Sequence, residues 1–95
     1  MILKASLYFY NENNDTTFSP YIMINYTCDG FQRDNYDYLS IFNNGKISMI
    51  NYDSKTNASV KIKGVEGVNS IKVVFYKGSA DSTVTIKSIK IVGIS

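Results

Sequence analysis

The sequence predicts an all-β chain: a single antiparallel β-sandwich over residues 1–95, of the jelly-roll or Greek-key kind, with about seven to eight strands and no significant helix. Three observations lead there. Apolar residues alternate with polar ones at a period of two in segment after segment, no window carries the i, i+3, i+4, i+7 spacing of a helix face, and short polar turns separate the segments. Ninety-five residues with 44% hydrophobic and 14% aromatic content suit one folded domain.

The elements follow in order. Leu3, Ala5, Leu7 and Phe9 alternate with Lys4, Ser6 and Tyr8, which describes a strand with one buried face. NENNDTTFSP, residues 11–20, is the longest loop. YIMINYT places Ile22, Ile24 and Tyr26 on one face with Met23 partly covered on the other, and CDGFQRDN makes a second loop. YDYLSIF then runs into Asn44-Gly45, a pair that accepts the positive φ of a type I′ hairpin turn, and KISMINYD returns. ASVKIK, 58–63, is half buried through Ala58, Val60 and Ile62, and SIKVVFYK buries Ile71, Val73 and Phe75. In STVTIKSIKIVGI the apolar parity changes from Val84 and Ile86 to Ile89 and Ile91, so one residue is inserted into the alternation. This predicts a β-bulge at Lys87–Ser88.

Composition narrows the function. Counting gives 12 Ile, 10 Asn, 9 Lys and 8 Tyr in 95 residues, all encoded by AT-rich codons, so a single Asn or Tyr carries less functional weight than usual. The same discount applies to the sequons at Asn14, Asn25 and Asn57. With no His and one Cys, the usual zinc sites and the His-based nucleophile pairs cannot be assembled, and no internal disulfide forms. Cys28 reads as a small buried apolar residue. An enzyme survives only as a carboxylate-pair hydrolase using two of Asp29, Asp34, Asp37 and Asp81, and the expectation is that the chain is not an enzyme. MILKASLYFY reads as a strand, without the basic start or uninterrupted apolar run of a signal peptide or membrane span.

Net charge is +2, too small to call for nucleic acid, and no membrane partner is expected. Its distribution is uneven: residues 1–53 carry 3 basic and 6 acidic side chains, and residues 54–95 carry 7 and 2. Lys61, Lys63, Lys72, Lys87 and Lys90 fall on the solvent side of their strands, where they keep strand edges from pairing with other chains.

Tyr36-Asp37-Tyr38-Leu39-Ser40-Ile41 resembles the YDYLEI motif of CUB domains, with Ser40 where that family often has Glu. Asp29 precedes it by eight residues, and FYKGSADS, 75–82, resembles the family's F-x-S-D-x-S stretch. The resemblance, over roughly residues 21–85, implies a Ca²⁺ site with Asp29, Asp37 and Asp81 as ligands; calcium takes six to eight hard oxygens, which loops at one end of a sandwich can supply. Asp29 is shorter than the family's Glu, an extra residue separates Ser79 from Asp81, and the framework cysteines are missing. Aspartates that cap exposed amides at strand ends are the alternative. No other cofactor is expected.

The tyrosines suit a protein interface or, as flat surfaces, a glycan. Tyr8, Tyr10, Phe18, Tyr21, Tyr36 and Tyr38 are the candidate contact residues. The expectation is a structural protein working by association with a shell protein or with copies of itself. Small charge-poor sandwiches of this composition resemble capsid-decoration, fibre or tail accessory proteins of bacteriophage particles, which places the chain in a virion. The alternative is a CUB-like carbohydrate- or Ca²⁺-dependent adhesion module of a bacterial surface protein, located outside the cell.

Overall fold

The computed structural model describes residues 1–92. Seven strands are present among them: β1 Ile2–Phe9, β2 Tyr21–Asp29, β3 Tyr38–Asn43, β4 Lys46–Asn51, β5 Lys55–Lys63, β6 Gly67–Tyr76 and β7 Thr83–Val92. The helical content is one 3-10 turn, Arg33–Asn35, in the loop before β3. All pairs are antiparallel, in a four-stranded sheet of order β1-β6-β3-β4 and a three-stranded sheet of order β5-β2-β7. The pairs nest: β3 with β4, outside that β2 with β5, outside that β1 with β6. Successive pairs alternate between the sheets, which is the wrapping of a jelly roll.

The two sheets meet through the alternation. Ile22, Ile24, Tyr26 and Cys28 from β2 and Ile62 from β5 pack against Leu39, Ile41, Ile71, Val73 and Phe75, with Phe9 closing one end. Each of these aliphatic side chains contributes about 1.5–3 kcal/mol by leaving water. Burial also pushes the Cys28 thiol pKa up, as expected of a buried apolar cysteine.

Asn44 and Gly45 take φ of 51° and 81°, so the tight β3–β4 turn forms where the sequence puts it. Asn44 also fastens the turn sideways, accepting the Ser70 amide at 2.8 Å and donating to the Val68 carbonyl at 3.1 Å. On the other sheet Asn25 pairs with Ser88 and Tyr26 with Ile86, leaving Lys87 as the extra residue of a bulge. A second bulge lies across β2, where Tyr26 pairs with Ala58 and Cys28 with Lys55, and Asn57 takes a φ of 51°. The Lys87 ammonium donates to the Asn57 carboxamide between them.

Two expectations change. Ile91 is 44% exposed, whereas Ile89 is half-buried against the core, and Leu3 is 37% exposed. Leu3 belongs to an edge strand, and three strands cannot cover the whole inner face of four. The last predicted segment continues to Ile94, whose end lies outside the described residues.

Candidate functional site

Asp37 accepts four hydrogen bonds through its side chain. It follows a tight loop in which Tyr36 takes a left-handed φ of 61° and its amide donates to the Arg33 carbonyl at 2.9 Å. That loop turns the Asp37 carboxylate inward, where it has no solvent exposure. Oδ1 accepts the amides of Gly78 at 2.7 Å and Ser79 at 2.8 Å. Oδ2 accepts the Gln32 amide at 2.8 Å and the Ser79 hydroxyl at 2.6 Å. One carboxylate thus ties the β2–β3 loop to the β6–β7 turn.

Burial by itself raises this carboxyl's pKa, yet the Ser79 hydroxyl, the Gln32 amide, the Ser82 hydroxyl and the Ser79 amide hold it well below the usual carboxylate range. The close approach also dictates a glycine: a Cβ on Gly78 would stand 1.7 Å from the Asn35 carbonyl oxygen.

The structure does not bring the expected ligands together. Asp29 and Asp81 are exposed, Asp37 is sealed by protein donors, and no group of three or more His, Cys, Asp or Glu side chains among the described residues could hold a metal ion. The cation on the β6–β7 turn is the Lys77 ammonium, which donates to the Ala80 carbonyl at 2.8 Å and to that of Ser82 at 2.5 Å. The tyrosine-flanked aspartate is a latch.

The other candidate site is the outer face of the four-stranded sheet. Ladder register puts Ile2, Val74, Ser40 and Ile50 in one outward row and Lys4, Lys72, Phe42 and Ile47 in the next. Ser6 and Ser70, then Tyr8 and Val68, continue along β1 and β6. Ile2, Tyr8, Ile47 and Val68 are each more than half exposed. At the Asp37 end, Tyr38 and Tyr76 stack with centroids 5.4 Å apart and planes within 5°, and Tyr52 leans on Tyr38 at 6.1 Å. Arg33 lies 5.6 Å over the Tyr52 ring while bonded to Asp53 at 2.8 Å. An outward sheet face in a monomer is ordinarily polar, and a contiguous apolar one marks a contact surface.

The outer face of the three-stranded sheet is the opposite in character. Its rows read Lys61, Met23, Lys90 and then Ser59, Asn25, Ser88, with Asn25 donating to Ser88 at 2.8 Å. The basic C-terminal half of the sequence thus becomes a basic face, because β5 and β7 both flank β2 there.

The candidate contact residues divide between these surfaces. Tyr8 and Tyr38 lie on the apolar face, Tyr10 follows the end of β1, and Tyr36 is exposed beside the Asp37 loop. Tyr21 is on the opposite sheet, with the Lys61 ammonium 5.1 Å over its ring. Phe18 lies on neither face: it is half-buried against the core and anchors the long loop. Alternation alone does not single out Phe42, Ile47, Ile50, Val68 and Val74, although each sits in a segment whose inward apolar set is already complete. Apolar residues in both parities were the signal.

No family model, curated protein or solved structure matches this chain.

Proposed function

We propose that this chain is a non-catalytic structural protein, an accessory of a virus or bacteriophage particle, which acts by seating the outer face of its four-stranded sheet on another protein. The observation that carries the reading is that face: aliphatic and tyrosine side chains exposed in register on a sheet whose inner side is already filled. Asp37 supports the non-catalytic part, since a carboxylate with four protein donors and no exposure reaches no substrate. The particle setting rests on composition and on the resemblance of small charge-poor sandwiches to such accessories.

The test is capture from a lysate of particle-producing cells by the immobilised chain and by its Ile50→Ser/Tyr76→Ser variant. The reading expects one shell or tail protein retained by the first and lost by the second. Retention of no such protein, together with glycan binding that Tyr36→Ala or Tyr38→Ala abolishes, overturns it in favour of a carbohydrate-binding module.

A further inference from the structure

Along the outward side of the β1–β6 ladder, charge is arranged in two unbalanced groups. Lys4 and Lys72 are direct cross-strand partners, a like-charge pairing that costs stability by itself. They line a shallow cleft with Ser6, Ser70 and Phe42, the Lys72 ammonium standing 4.8 Å over the Phe42 ring. Farther along the same ladder, past Tyr8 and Val68, a second recess is lined by Tyr8, Tyr10, Glu12 and Glu66. Among the described residues the only ion pair is Arg33–Asp53, so no described residue neutralises either group. Lys72 and Glu66 are six residues apart, roughly 20 Å along an extended strand.

A surface with two positive groups at one end, two negative groups at the other and a protruding tyrosine between them is complementary to itself after a half-turn. We infer that a second copy of this chain docks there, the two β1–β6 outer faces packing antiparallel about a two-fold axis. Lys4 and Lys72 of each copy then meet Glu12 and Glu66 of the other, and each Tyr8 enters the other copy's cleft beside Phe42. A two-fold interface uses one patch twice, so each favourable charge contact is made twice. The inference extends the association reading to a second copy, but it stands on the β1–β6 charges and not on the aromatic end of the face.

Sedimentation velocity from micromolar to millimolar concentration at low salt tests it. The expected result is a concentration-dependent dimer that weakens as salt screens its charges. Lys4→Glu/Lys72→Glu and Glu12→Lys/Glu66→Lys should each raise the dimer dissociation constant about tenfold or more, and an equimolar mixture of the two variants should restore association as a heterodimer. Both keep a like-charge pair where one stood, and each variant's thermal melt checks its fold. A monomer at every concentration overturns the inference, as does a dimer indifferent to both reversals or a mixture that does not recover. Ile50→Ser/Tyr76→Ser separates the two claims: it leaves this dimer intact while removing the capture described above.

Discussion

At the residue scale, Asp37 and the glycine facing it explain why two loops at one end of the sandwich stay together. Asp37→Asn puts an NH₂ group among amide and hydroxyl donors, and a fall in Tm on the order of 10 °C is expected by calorimetry. The pH dependence has a definite sign. The folded-state pKa is depressed below the ordinary value of 3.8, so the stabilisation is complete above the unfolded-state pKa and is lost as pH falls from there through the folded-state value. Urea midpoints should hold level from pH 7 to about 4 on this account and drop below that, with the drop reduced in Asp37→Asn. Two glycine substitutions probe different costs. Gly45→Ala meets no neighbour and suffers only from its φ of 81°, about 1 kcal/mol. Gly78→Ala drives a Cβ into the Asn35 carbonyl and should lose more in the same denaturation series, by breaking the contact on which the Asp37 latch depends.

At the scale of the strand, the Asn44-Gly45 turn located β3, and alternation in the sequence located β2, β5 and β6 and their inward faces, because one filled core admits one register. The Lys87 bulge was legible for the same reason, as a break in parity. It also yields a prediction. Deleting Lys87 leaves Ile86, Ser88 and Ile89 facing as they do now, since the bulge exists to absorb that residue. Deleting Lys72 from β6, which pairs without a bulge on both sides, turns either Ile71 or Val73 outward. The first variant should melt cooperatively in circular dichroism, and the second should not. The asparagines were misjudged. Codon bias explains their number, but Asn69 is fully buried, accepting the Val65 amide at 2.8 Å and donating to the Val65 and Gly67 carbonyls to build the β5–β6 turn. Asn43 donates to Asn69 at 3.2 Å from the inward side of β3. Both occupy core parity in otherwise apolar strands, a signal that composition masked. The Asp37 latch was hidden for a related reason: a motif shows which residues lie near one end of a sandwich, whereas what a carboxylate binds depends on which donors already take its oxygens.

At the scale of the molecule, the two outer faces divide the labour. The basic β5-β2-β7 face is solvated by lysines that also guard strand edges, while the β1-β6-β3-β4 face keeps exposed apolar surface that a solitary domain gains nothing by displaying. Ile50→Ser/Tyr76→Ser should therefore lower stability by no more than about 2 kcal/mol, because each side chain is already about half in water and neither belongs to the core, and still abolish binding of a protein partner. A loss of folding in that variant would assign the face to the core of the monomer instead.

The central claim, that this face is the working surface, is tested most directly by tyrosine footprinting of the chain alone and in complex with the shell or tail protein it captures, read by mass spectrometry. Tyr76, exposed on the four-stranded sheet, should become protected in the complex, while Tyr21 on the opposite face keeps its labelling rate. Protection of Tyr21 with Tyr76 unchanged, or labelling of both that the partner does not alter, would contradict the account.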